Sequence, residues 1–302
     1  MTALPADVVH LVREVFASCN AASTRKLTMA PNIQEEWLDH TWISEVTNFT
    51  SPQVVESGWL VRFDAHYLGG MRHFGGFEIA DIGVLVHFRL GPDERRSKVV
   101  LLQSKRLYPT SGGVREETKS DFEIGFARLS DPEDLALPIA LERVFEFSEN
   151  SRYKALARGS DQVKLIDDYE NTVGLPVYYH LYNPWDLPFE QRIPLTDPTP
   201  PPGAPALGVR VIPAPALHRM LPDGSAKHPS VADLSDPDGL PPHGWRVEDF
   251  ICDEVLACHH GREYASISER PIWQLFNRRS GPIAASIAIT IESPEVAAAH
   301  GR

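Results

Sequence analysis

The spacing of hydrophobic positions changes several times between residues 32 and 182. From Asn32 to Asn48, Leu38, Trp42, Val46 and Phe49 recur at helical intervals. Asn32 can cap this helix, Glu35 and Glu36 suit the positive end of its dipole, and Ser51-Pro52 ends it. Trp59 to Tyr67 alternates apolar and polar residues and stops at Gly69-Gly70. Phe77 to Leu90 is rich in β-branched and aromatic residues, and Lys98 to Leu107 begins apolar on both faces, as a central strand does. The segment Gly91 to Ser97 reads as the hairpin loop between them. An acidic, poorly periodic insertion covers 108–150. A helix from about Ser151 to Tyr169, recapped at Gly159-Ser160, follows it, and then a strand from Val177 to Tyr182. The order helix, three strands, helix, strand predicts an α/β fold with a mixed central sheet flanked by helices.

Five prolines between Pro198 and Pro205 mark a stiff boundary. The organisation expected is a first domain over 1–192, a Pro-rich linker over 193–205, and a C-terminal accessory domain or extension over 206–302 of mixed α+β character. That last part carries strand-like stretches at Gly208 to Ile212 and Ile283 to Ile291, and a helix near Val247 to His259.

Among 302 residues, 29 are basic and 41 acidic, a net charge of -12. This argues against a basic nucleic-acid coat or a polybasic membrane anchor. Residues 1–110 are nearly balanced, with 11 basic against 12 acidic residues, so a polyanion would bind near that third or along a local groove. Three scattered cysteines, Cys19, Cys252 and Cys258, make no disulfide framework. No apolar run reaches the ~18 residues needed to span a bilayer, and residues 1–16 lack the pattern of a secretion signal. The expectation is a cytoplasmic chain with no membrane partner.

The chemistry-bearing residues are Asp81 on the second strand, and Gln103 and Lys105 on the third. A loop symmetrical about Glu94 makes facing residue numbers add to 188, pairing Gly83 with Lys105 and Leu85 with Gln103. Asp81, Gln103 and Lys105 then project from one face of adjacent strands. A lysine in a two-sided apolar strand needs a partner, because burying an unpaired ammonium is costly. One reading is a structural ion pair between Lys105 and Asp81. The other is a metal site, with Asp81 and the Gln103 side-chain carbonyl as hard oxygen ligands and Lys105 orienting a water or stabilising charge at phosphorus.

An acid followed by a hairpin to apolar-apolar-Gln-x-Lys resembles the PD-(D/E)XK, restriction-endonuclease-like nuclease superfamily, in its Mrr-like variant with Gln in place of a carboxylate. The matching stretches are Glu78-Ile79-Ala80-Asp81 and Leu101-Leu102-Gln103-Ser104-Lys105. The resemblance covers roughly residues 33–188 and includes the element order. It implies a restriction-endonuclease-like αβββαβ core and a Mg²⁺- (or Mn²⁺-) dependent endodeoxyribonuclease acting on DNA, in restriction or anti-phage defence. It also implies a homodimer or partner-protein complex. Asp81, Gln103 and Glu36 would hold the metal, Lys105 would complete the catalytic set, and Gln162 on the second helix would touch substrate. For the helix acid, Glu36 follows from resemblance and Glu45 from its closeness to the apolar stripe. Glu78, three residues before Asp81, falls on the opposite strand face. The neutral Gln103 argues for one dominant divalent ion rather than two. The alternative function is a nuclease-fold module without catalysis, serving as a nucleic-acid or protein interaction unit.

Weaker signals lie elsewhere. Cys252, Cys258, His259 and His260 offer zinc ligands without a paired knuckle spacing. Asn277 to Pro282 is a small basic turn, and the tyrosines and Trp185 of Tyr178 to Pro188 read as core or as base-stacking rings.

Overall fold

The computed structural model describes residues 4–68, 79–110, 133, 143–193, 203–224, 227–276 and 282–300. In chain order the helices are α1 (Ala6–Met29), α2 (Glu35–Val46), α3 (Asp161–Val173), α4 (Ala214–Met220), α5 (Val247–Asp249, continued by a π-helical turn Phe250–Val255), α6 (Arg270–Phe276) and α7 (Pro294–His300). The strands are β1 (Gln53–Val54), β2 (Leu60–Tyr67), β3 (Ala80–Arg89), β4 (Arg95–Arg106), β5 (Arg143–Phe147), β6 (Val177–Tyr182), β7 (Phe189–Ile193), β8 (Arg210–Pro213), β9 (Trp245–Arg246), β10 (Arg262–Tyr264) and β11 (Ile283–Glu292). The fold is α/β. A nine-stranded mixed sheet has the order β1-β2-β11-β3-β4-β6-β8-β9, with β10 also paired to β4, and β5 and β7 make a separate ribbon.

The sheet is covered on both faces. Ile82, Val84, Val100 and Leu102 pack with α1, α2 and the 250–256 turn, around Val12, Phe16, Trp42 and Phe250. Leu85, Val99 and Leu101 pack against α3, α4 and α6, around Ile166, Leu217 and Ile272. Neighbouring positions of β3 and β4 thus serve opposite layers, which explains the two-sided apolar character of both strands.

Three features differ from the sequence reading. First, a 24-residue helix, α1, precedes the helix expected to be first. Its buried face includes Asn20, Ser23, Thr24 and Thr28 alongside Val8, Val12, Val15 and Phe16, so its apolar stripe is diluted by small polar residues. Second, residues 151–160 are not helical. Gly159 takes φ +74°, and the Ser160 side chain accepts from Val163 N, so the helix begins at Asp161.

Third, the β3–β4 register pairs Ile82 with Leu102 and Gly83 with Leu101, so facing numbers add to 184, not 188. Leu90 N donates to Glu94 O, closing the turn at Gly91-Pro92-Asp93, and Arg95 already faces Arg89. The ladder continues through Arg89, Arg95 and Arg96, of which Arg95 is exposed and the others half-buried, beyond the point where an apolar pattern can register it. Because the correction is an even number, every side chain keeps its face. One step past the last pair, Asp81 comes level with Gln103.

β11 lies between β2 and β3, antiparallel to the first and parallel to the second. Its Ile287, Ile289 and Ile291 are fully buried. Residues 206–302 also contribute β8, β9 and β10 to the same sheet. No helix among the described residues is long and apolar enough to cross a membrane.

Candidate active site

A cleft of about 540 Å³ opens where β3 begins, β4 ends, and α2 and α3 both start. Glu35, Glu36 and Asp39 of α2, Asp81 of β3, Gln103 and Lys105 of β4, and Gln162 of α3 all line it. All five residues expected from sequence, Glu36, Asp81, Gln103, Lys105 and Gln162, line it. Glu78 lies outside the described residues.

Ser104 ties the acids together. Its backbone N–H donates to Asp81 Oδ2 at 2.7 Å, and its hydroxyl donates to Asp39 Oδ1 at 2.5 Å. Alternation of side chains explains how: Gln103 and Lys105 face the α3 layer, while Ser104 between them faces α2. Tyr182 also donates to Asp39 Oδ1, at 2.7 Å. His180 packs against Trp42 with ring centroids 4.5 Å apart and planes tilted by 43°, and burial pushes its pKa down to about 3, so the ring is neutral. Burial likewise raises Asp39 to about 7 and Asp81 well above the usual carboxylate range, the latter helped by the neighbouring charge of Asp39.

Lys105 is 3% exposed, and its Nζ donates to Glu35 Oε1 at 2.9 Å and to Ser104 O at 2.6 Å. Burial pulls its pKa down, but the carboxylates of Glu35, Asp81 and Asp39 outweigh that and hold it above the ordinary value. The ion pair therefore runs to Glu35 rather than to Asp81. Glu35 Oε2 also accepts from Arg106 N at 3.0 Å.

α2 thus supplies Glu35 and Asp39 as the inward acids, with Glu36 exposed on the cleft wall. Glu45 turns away, accepting from Ser18 at 2.6 Å. Glu35 and Asp39 had a detectable signal. At 100° per residue, Glu35 lies about 20° from Trp42 and Asp39 about 60°.

Among the described residues, no three His, Cys, Asp or Glu side chains converge to hold a metal on their own. The cleft nevertheless fits a divalent cation through a different donor set. Gln103 is 2% exposed, its Nε2 donates to Asp81, and its Oε1 is buried with no hydrogen-bond partner among the described residues. Such an oxygen is costly to leave unpaired and is a hard ligand beside Asp81. Among the described residues, five acids, Glu35, Glu36, Asp39, Asp81 and Asp161, and one lysine line the cleft. A bound cation would favour the charged forms of Asp39 and Asp81, whose pKa values are raised without one.

The weaker sequence signals resolve elsewhere. Cys252 Sγ points to Val9 O, Cys258 Sγ to Leu256 O, and His259 and His260 to Glu254. Tyr178, Tyr179, Tyr182 and Trp185 are buried. Of the Asn277 to Pro282 turn, all but Pro282 lies outside the described residues.

Comparison with protein-family models, curated proteins and solved structures gives no match for this chain.

Proposed function

We propose that the chain is a metal-dependent nuclease that hydrolyses phosphodiester bonds of DNA, on a restriction-endonuclease-like core and in a restriction or anti-phage setting. The observation that carries this reading is the cluster of Asp81, Gln103 and Lys105 on adjacent strands, in one cleft with the α2 acids and with the Gln103 oxygen unpartnered among the described residues. Asp81, the Gln103 carbonyl, and Asp39 or Glu36 would hold Mg²⁺ or Mn²⁺, which when bound would polarise the scissile phosphate and acidify a water. Lys105 has three N–H donors and uses two on Glu35 and Ser104 O. The third is available to orient the attacking water and to stabilise negative charge growing on phosphorus-bound oxygen. Glu35 keeps the ammonium aimed and charged.

One observation favours a second reading, an interaction module without catalysis: Lys105 with Glu35, and Asp81 with Gln103 and Ser104, already satisfy one another. The deciding experiment is cleavage of supercoiled plasmid and single-stranded DNA with Mg²⁺, Mn²⁺ or EDTA, by wild type, Lys105→Ala and Lys105→Met. A nuclease cuts only with metal, and both variants lose on the order of a hundredfold or more in rate while remaining folded. A folded wild-type protein that cuts under none of these conditions would favour the interaction module.

A further inference from the structure

Ser104 turns all of its polar groups on the candidate site. Its N–H donates to Asp81 Oδ2 at 2.7 Å, its hydroxyl donates to Asp39 Oδ1 at 2.5 Å, and its carbonyl accepts from Lys105 Nζ at 2.6 Å. The residue is fully buried, and the sheet explains why its N–H is free for a side chain. The β3–β4 pairing ends at Ile82 and Leu102, so at Ser104 the Asp81 carboxylate takes the place of a strand carbonyl. His180 Nδ1, at 3.5 Å from the Ser104 hydroxyl, is too distant to compete with Asp39 for its proton.

The consequence lies in the oxygens left over. Asp81 anchors Oδ2 on Gln103 and Ser104, and Asp39 anchors Oδ1 on Ser104 and Tyr182. Asp81 Oδ1, Asp39 Oδ2 and Gln103 Oε1 take no hydrogen bond among the described residues, and all three side chains line the cleft. Glu35, by contrast, gives Oε1 to Lys105 and Oε2 to Arg106 N, so neither of its oxygens is free. Each anchored aspartate can therefore offer a cation one oxygen and not two, because turning the second toward the cation would break two hydrogen bonds. Mg²⁺ and Mn²⁺ suit such a set, with near-octahedral coordination from one or two carboxylates and water in the remaining positions. Ca²⁺ is larger, takes about six to eight oxygens, and draws on carboxylates that bind through both oxygens.

We propose that Ser104 is the positioning residue of the cation site, and that together with Tyr182 it makes the site select Mg²⁺ and Mn²⁺ over Ca²⁺. The inference rests on the metal site of the nuclease reading and not on cleavage. A buried serine that did no more than satisfy Asp39 would support the fold and leave the preference between ions untouched.

The test is isothermal titration of the full-length protein, freed of metal with EDTA, with Mn²⁺ or Ca²⁺ alone, and with Mg²⁺ as a competitor of Mn²⁺. Wild type is compared with Ser104→Ala, Ser104→Thr, Tyr182→Phe and the double variant Ser104→Ala/Tyr182→Phe, each checked by circular dichroism for folding at the titration temperature. Ser104→Ala keeps the N–H on Asp81 and removes one anchor of Asp39, and Tyr182→Phe removes the other with little change in volume, so either variant carries the test if the other does not fold. Wild type is expected to bind a single Mn²⁺ at least about tenfold tighter than Ca²⁺. Ser104→Ala and Tyr182→Phe each lose on the order of tenfold in Mn²⁺ affinity while Ca²⁺ affinity stays level or rises, and the double variant loses most of the preference. Ser104→Thr, which keeps the hydroxyl, retains it. Equal losses for both ions, or single variants with the wild-type preference, would overturn the inference even if the protein cuts DNA with Mn²⁺. A wild type that binds no Mn²⁺ would overturn it together with the metal site. Selective binding that depends on Ser104 and Tyr182, in a protein that cuts no DNA, would instead uphold this inference and remove the nuclease reading.

Discussion

Gln103 donates its amide N–H to Asp81 and keeps its carbonyl oxygen buried, without a partner among the described residues. An amide so placed is already oriented as a ligand, since Asp81 holds the nitrogen and so fixes which end is the free acceptor. Gln103→Glu puts two carboxylates side by side in a buried site. In EDTA its melting temperature is expected to fall by about 2–4 °C, and Mn²⁺ is expected to restore it with a midpoint at least about tenfold below that of wild type. A thermal-shift titration reads both quantities. A variant whose melting point ignores Mn²⁺ would remove Gln103 from any metal site.

Lys105 and Glu35 form the ion pair that closes the end of β4. Removing one member of a buried pair leaves the other uncompensated, so Lys105→Ala should cost about 3–5 kcal/mol in urea denaturation. Glu35 is partly exposed and less sensitive, and the double variant Lys105→Ala/Glu35→Gln should recover part of that loss. A coupling energy of about 1–3 kcal/mol is expected from the cycle, and additive losses would mean that the two side chains do not interact.

The raised pKa of Asp39 has a signed consequence. Burial lifts the folded-state value from 3.8 to about 7, so the folded protein holds a proton there that the unfolded chain releases. The stability contributed is complete below pH 3.8 and is lost as pH rises through about 7. Asp81 is shifted the same way. Metal-free protein should therefore melt at lower temperature at pH 8 than at pH 6, and Asp39→Asn should flatten that slope while keeping an acceptor for Ser104 and Tyr182. Parallel pH profiles for wild type and variant would refute the assignment.

The centre of the sheet gives a prediction independent of the chemistry. A Cβ on Gly83 would lie 2.6 Å from Ile283 Cδ1 and 3.0 Å from Phe276 Cε1. Gly83→Val should cost roughly 1–3 kcal/mol or more through overpacking, and Ile289→Ala about 2–5 kcal/mol through the cavity it leaves. Chemical denaturation measures both. A neutral Ile289→Ala would mean that β11 is not held in the core.

Local patterns revealed the strands around the site well, because Asp81, Gln103 and Lys105 lie on runs whose apolar content betrays them. An even error in register also preserves faces, so the shared side of these three residues survived a hairpin drawn four units too wide. For Asp39 the sequence carries only its angle beside the apolar stripe of α2. That angle does not distinguish a buried carboxylate from a boundary acid until Ser104 and Tyr182 are seen to satisfy it. The strand Ile283 to Ile291 was visible as a strand, but its slot between β2 and β3 depends on pairing across more than 190 residues, which no local period encodes. The helix α1 was hidden by the small polar residues on its buried face.

The slot filled by β11 also sets a schedule for the nascent chain. β2 and β3 are made early but are joined only through a strand synthesised about 200 residues after them, on the order of 10–40 seconds later at ordinary ribosome speeds. Until then the edge that carries Asp81 has no neighbour on one side. A nascent polypeptide that has not yet released β11 therefore cannot assemble the finished cleft.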